Sequence, residues 1–218
     1  MTHECRLTWL GDAALSIRAD ERDVLAANTR VHEWAARIRA ANVAAVRDVV
    51  PGMRELVVHI DPLHADVGEI ERALRTDATR GATTPVAPRT IEIVVTYGGD
   101  GGPDLDDLAR ATGLTSDEVC RRHRETIYTV HFVGFLPGFP YLGPLDPALQ
   151  VPRRTTPRPR VPPGSVAVAG EYTGIYPWPS PGGWHVIGRA DVTLFDAAAR
   201  PPALLSPGDR VRFVERRS

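Results

Sequence analysis

Lysine is missing from this 218-residue chain: all 26 residues counted as Lys or Arg are arginine. That excludes a Schiff-base lysine and the lysine of a Walker-type phosphate loop. Any anion held here must be met by guanidinium forks or backbone N–H groups. Cysteine is nearly absent, with only Cys5 and Cys120. No CxxC pair exists, which excludes zinc ribbons and thioredoxin-like centres, and a lone disulfide cannot be assigned from spacing. Neither sign of charge is in excess: 26 basic against 27 acidic residues leave −1. Nucleic acid and anionic membranes are therefore not expected as partners. No run approaches the roughly twenty apolar residues of a membrane helix. The opening MTHECRLTWL lacks the basic-then-apolar order of a signal peptide. The expected location is the cytoplasm.

Familiar catalytic signatures are missing too. Ser165 lies in PPGSV rather than in a GxSxG elbow. The seven histidines form no HExxH, so no metal motif is present. The glycine-rich YGGDGGPDL (97–105) matches neither GxGxxG nor a P-loop. It reads as a strand-to-helix turn, with a phosphate cradle as the alternative. No internal repeat is visible.

What is present, 43% hydrophobic and 24% charged residues, suits a soluble globular protein of one large or two small domains. RLTWLGDAALSIRA predicts two strands turning at Gly11-Asp12. Asp20 is the expected cap of a helix with apolar spacing at Val24, Ala27, Val31, Trp34, Ala35 and Ile38. VRDVVPG and RELVVHID predict two more strands. A second helix over 66–76 would bury Val67, Ile70 and Leu74. This ββαββα order predicts an α/β domain over 1–80, with a small sheet carrying helices on one face. TRGATTPVAPR (79–89) reads as a linker to a second domain over 90–218.

The second domain opens with a strand in TIEIVVTYGG and two short helices, starting near Pro103 and at Ser116 with Glu118. Beyond Ile127 only strands and turns are expected, because 12 of the 20 prolines fall between Pro137 and Pro181. GSVAVAG, GGWHVIGR, VTLF and DRVRFV supply short strands, and the pattern favours a closed β-barrel.

Three stretches could carry chemistry. GFLPGFPYLGPLD (134–146) is too stiff for a helix or a central strand, yet Phe135, Phe139, Tyr141 and Leu142 must pack on something. In VPRRTTPRPRVPPGSVAVAG, prolines hold Arg153, Arg154, Arg158 and Arg160 extended, so alternate guanidiniums project to defined sides. A solvated basic loop is the simpler reading of such a run. GEYTGIYPWPSPGGWHVIGR gathers Tyr172, Tyr176, Trp178 and Trp184, residues that suit a ligand wall or a core. Ser180 and Gly182-Gly183 could present donors to an anion. A lone strand histidine such as His185 is more often structural than catalytic.

GFLPGFPYLG, PRRTTPRPRVPPGSVAVAG and TGIYPWPSPGGWHVIGR, in that order, resemble the family of 5-oxoprolinase B subunits, also called allophanate hydrolase subunit 1 or KipI-type kinase inhibitor. YGGDGGPDL and PPALLSPGDRVRFV resemble it as well. The resemblance implies a ferredoxin-like α+β N-terminal domain followed by a cyclophilin-like, mainly-β barrel domain. It implies partners, the C and A subunits of the same enzyme, with which such proteins cleave 5-oxoproline to glutamate using ATP, magnesium accompanying the nucleotide. Alternatives within the resemblance are an inhibitor of a sensor histidine kinase and a urea amidolyase-like carboxyltransferase subunit. Within these motifs Arg158, Arg160, Tyr176 and Ser180 are the candidate catalytic residues. Arg153, Phe139, Tyr141, Ser165, Gly182, Gly183, Trp184 and His185 are the candidate substrate-binding residues. Together they are expected to frame a site at the mouth of the barrel.

Overall fold

In the computed structural model, which describes residues 6–64, 66–75 and 89–216, the first strands form the expected hairpin. β1 (Arg6–Trp9) pairs antiparallel with β2 (Ala14–Arg18). Helix α1 (Val24–Ala41) is capped by Asp23, whose carboxylate accepts from the Ala26 N–H at 2.7 Å, and not by Asp20. Asp23 stands directly before Val24, the first residue of the apolar period, so its side chain alone reaches the unsatisfied first-turn donors. After it come β3 (Val46–Pro51), β4 (Glu55–Ile60) and α2 (Val67–Arg75). The sheet order is β1-β2-β4-β3. Leu15, Ile17, Leu56, Val58 and Ile60 alternate onto one face and meet Val31, Trp34 and Ile38 of α1 and Ile70, Ala73 and Leu74 of α2. Val67 is only partly buried there.

The chain divides into two compact units, Met1–Ala87 and Pro88–Ser218. The linker expected over 79–89 lies outside the described residues, apart from Arg89. In the second unit β5 (Thr90–Tyr97) leads through the glycine-rich turn to α3 (Leu105–Thr112) and α4 (Ser116–Glu125). Then follow β6 (Ile127–Val133), β7 (Pro140–Gly143), β8 (Arg158–Val161), β9 (Ser165–Ala169) and β10 (Tyr172–Ile175). β11 (Ser180–Gly182), β12 (His185–Ala190) and β13 (Arg210–Glu215) complete it. Seven strands close a barrel in the order β10-β7-β6-β13-β5-β12-β9, and β8 and β11 form a separate two-stranded sheet.

Two local expectations fail. Pro140–Gly143 is a barrel strand, paired with β6 on one side and β10 on the other. It is tolerated because Pro140 takes the first strand position, where a missing donor costs least. VTLF (192–195) is not a strand; it makes one isolated bridge, Phe195 to Ala203. The opposing segment carries Pro201 and Pro202, which have no N–H to extend a ladder.

Alternation along the barrel strands separates two cores. Val166 and Val168 of β9 point into a cluster with Val95, Tyr128, Val130, Leu142, Ile187 and Phe213, closed by Leu105, Leu108 and Val119 of the two helices. Ala167 and Ala169 point the other way, into a second cluster with Phe139, Val161, Tyr176, Trp184 and Val186. The interior is filled with aliphatic and aromatic side chains, as in other small barrels.

Candidate functional site

The aromatic frame lies on the face of β9, β10 and β12 opposite that larger core. Small residues on that face make it possible. A Cβ on Gly174 would come within 2.9 Å of the Phe139 ring, and Ala167 and Ala169 present only methyl groups. Phe139 is 1% exposed and occupies the centre. Its ring lies 5.1 Å from Tyr141, 5.2 Å from Tyr176 and 5.5 Å from Trp184, all edge-on. Tyr141 in turn stacks on Phe132 at 4.1 Å. Such edge-to-face and offset contacts add to plain burial, so the frame is rigid. Phe135, in the left-handed region at φ 70°, stays 59% exposed. Its ring leans on Phe139 and Tyr176 at 5.5 and 6.4 Å.

Arg153 brings charge to this frame. Burial pushes the Tyr141 and Tyr176 phenols up, and the Arg153 charge opposes that at both. A backbone hydrogen bond from Trp184 also opposes it at Tyr176. Arg153 and Arg160 are exposed, and among the described residues neither has an ion pair. The glycines of SPGGW serve packing here. A Cβ on Gly182 would sit 2.4 Å from the Tyr176 hydroxyl, so Gly182→Ala should push this buried ring off its neighbours. A loss of about 1–3 kcal/mol is expected, the usual cost of overpacking. It is read from urea unfolding, and an unchanged midpoint would show that the ring has room to move.

Arg158 has a partner within the chain. Asp104, 1% exposed, accepts from Arg158 Nη1 at 2.6 Å and Nη2 at 2.7 Å, a bidentate fork. It also accepts from Arg154 Nη1 at 2.6 Å and from the Val186 N–H at 2.7 Å. Burial raises the Asp104 pKa, but the hydrogen bonds from Arg158 and Val186 and the two guanidinium charges outweigh it and hold the carboxyl below its ordinary value. The basic segment is thereby pinned to the turn before α3 and to β12. Several amides of that turn are spent within the chain. The Gly98 N–H donates to Ile187, the Gly102 N–H to Gly98 and Gly99, and the Asp104 N–H to Val186.

The remaining candidates are distributed as follows. Ser180 is buried opposite Val161, and its Oγ has no hydrogen-bond partner among the described residues. Gly182 pairs in register with Arg158, and the Gly183 carbonyl accepts from the Arg154 N–H. His185 Nε2 donates to the Pro152 carbonyl at 3.0 Å, leaving Nδ1 buried as an acceptor with no partner among the described residues. Ser165 is buried at the start of β9, where its carbonyl accepts from the Tyr176 N–H. The fold thus gathers Arg153, Phe139, Tyr141, Tyr176, Gly182 and Trp184 around one frame, with Arg158 behind them. No described contact ties Arg160 to it. Sequence reasoning missed Asp104. Its one signal was an acidic residue after a glycine turn with no recognisable helix-capping partner.

The chain is similar to known proteins over most of its length. It is 42% identical over 206 residues to the 5-oxoprolinase B subunit of Escherichia coli O157:H7, covering 94% of this chain and 93% of that one. It is 36% identical over 228 residues to the Bacillus subtilis (strain 168) protein of the same name, covering 98% and 94%. The solved structure of TTHA0988 superposes with a TM-score of 0.81 at 38% identity, covering 94% of this chain, which spans 40% of that chain. The urea amidolyase of K. lactis, at 18% identity and a TM-score of 0.79, shares the fold, with 97% of this chain and 15% of that one covered. Residues 5–205 match the family described as the carboxyltransferase domain, subdomain C and D, and with that extent of agreement the chain belongs to this family.

Proposed function

We propose that this protein is the B subunit of a heteromeric ATP-dependent 5-oxoprolinase, converting 5-oxo-L-proline, ATP and water to L-glutamate, ADP and phosphate. The observation that carries the reading is a guanidinium without an ion pair among the described residues, Arg153, whose charge reaches the buried phenol of Tyr176 and the partly buried one of Tyr141 on the aromatic frame. A five-membered lactam carboxylate is flat, apolar on its faces and anionic at one edge. The exposed ring of Phe135 and the partly buried Tyr141 would hold the ring, and Arg153 would take the carboxylate. Arg158 acts through Asp104, as a positioning residue that fixes the segment bearing Arg153. The proposed architecture is a ferredoxin-like first unit and a cyclophilin-like barrel in the second.

The Gly98, Gly102 and Asp104 amides of the glycine-rich turn donate within the chain, and the sequence has no P-loop lysine. Among the described residues, no group of three or more His, Cys, Asp or Glu side chains could hold a metal ion. In this reading ATP and its magnesium are held largely by the C and A subunits, in the cytoplasm. No helix among the described residues is long and apolar enough to cross a membrane.

The test is co-expression with a C subunit, addition of an A subunit, and measurement of 5-oxoproline-dependent ADP release. Activity is expected from the complex and not from this chain alone. Arg153→Ala is expected to lower turnover efficiency by about 2–3 kcal/mol, the scale of a lost charged donor in a transition state, with the melting temperature unchanged. Full activity in an Arg153→Ala, Arg160→Ala double variant would end the anion-clamp reading.

A further inference from the structure

A cleft of about 560 Å³ in the second unit, lined by Thr96, Gly101, Gly164, Arg189, Asp191 and Arg216 among others, includes none of the residues assigned above. Its volume falls in the range of small-molecule sites. Two glycines shape it around an arginine stem. A Cβ on Gly101 would come within 3.0 Å of the Arg189 Cβ, and one on Gly164 within 2.3 Å of the Ala190 carbonyl and 3.7 Å of the Arg189 Cγ. Arg189 thus leaves β12 with its stem held between two backbone segments, and its guanidinium has no ion pair among the described residues. Arg216 is fixed by its backbone N–H, which donates to the Val95 carbonyl at 2.9 Å. Among the described residues its guanidinium likewise has no carboxylate partner, and Asp191 has no cationic one.

We propose that this cleft is a second binding site, for a small organic oxyanion, carboxylate or phosphate, that also carries a hydrogen-bond donor. Two guanidiniums against one carboxylate leave a net positive cleft, and arginine forks match planar or tetrahedral oxyanions. The Asp191 carboxylate is an acceptor that a bare anion cannot use, which is why a ligand with an N–H or O–H group fits better. The site is independent of the proposed activity, because it shares no residue with the aromatic frame.

The experiment is a titration of the isotope-labelled full chain, following backbone amide resonances in two arms. L-glutamate represents a carboxylate with an N–H donor, and sulfate, which carries no proton at neutral pH, a bare oxyanion. The expected result is saturable shifts at Gly101, Gly164 and Asp191 below about 10 mM, the range of a weak but specific site, stronger for glutamate than for sulfate. Saturation by sulfate alone would overturn the donor requirement. Arg189→Gln, Arg216→Gln, which keeps the packed stems, should weaken binding by about tenfold or more with the circular dichroism spectrum unchanged. No saturation in either arm would overturn the proposal. Shifts confined to Gly182 and Gly183, or undiminished in the double variant, would do the same.

Discussion

Asp104→Ala is expected to destabilise the second unit by about 3–5 kcal/mol, the cost of removing one partner from a buried charged cluster. Four N–H groups point at this carboxylate, and the substitution strands all of them. Arg154 and Arg158 retain 28% and 26% side-chain exposure, so water can recover part of the loss, which favours the lower end of the range. Asp104→Asn keeps one oxygen acceptor and the shape and should cost less. Urea unfolding with Trp184 fluorescence provides the measurement, and a midpoint equal to the wild type in Asp104→Ala would sink the idea. The same geometry separates the arginines. Arg158→Ala should lose stability along with any activity, whereas Arg160→Ala should leave unfolding unchanged. The linkage sign follows from the depressed carboxyl. Its contribution is present above the ordinary value of 3.8 and disappears as pH falls through the lower native value.

Mild acid should destabilise the second unit before its carboxylates titrate, because His123 is buried neutral. Its Nδ1 lies 2.7 Å from the Tyr97 hydroxyl and its Nε2 2.8 Å from Thr173 Oγ1. Thr173 spends its own proton on the Ala167 carbonyl at 3.1 Å. The chain of donors is therefore set: Tyr97 donates to Nδ1, Nε2 donates to Thr173, and Thr173 donates to Ala167. Protonating Nδ1 would break the first link in a fully buried place, among the rings of Tyr97, Tyr128 and Phe213. Burial accordingly pushes the His123 pKa from 6.5 down to about 3. Below 6.5 the unfolded chain takes up a proton that the native state refuses, so stability is lost as pH falls from 6.5 toward 3. Above 6.5 neither state is charged and the term is zero. The full gap is worth on the order of 5 kcal/mol. Between about pH 6.5 and 4.5, where ordinary carboxylates stay ionised in both states, stability should fall in the wild type and much less in His123→Gln. Parallel pH profiles for the two proteins would refute the assignment.

Local chemistry was legible in the sequence wherever a short-range rule decided the outcome. The ββαββα order, the spacing that buries Val31, Trp34 and Ile38, and the preference for a closed barrel follow from periodicity and proline content. So did the expectation that GFLPGFPYLG packs its rings. Near misses such as Asp20 for Asp23 arise because both residues satisfy the same capping chemistry within one turn. The motif residues, and the family they point to, were likewise readable from the chain alone.

Tertiary structure alone decided which face those residues occupy and which charges remain available. Strand alternation places Val166 and Val168 on one side of β9 and Ala167 and Ala169 on the other. Nothing local says which side is the barrel interior, because that depends on how seven strands close. The aromatic frame consequently lies on the face that carries Ala167 and Ala169. In the same way, four arginines in eight residues look equivalent until Asp104, some fifty positions earlier, pairs with two of them. Ion pairing depends on distance in space, and only the fold brings that carboxylate within 3 Å of Arg154 and Arg158 while leaving Arg153 without a carboxylate partner among the described residues, beside Tyr141 and Tyr176.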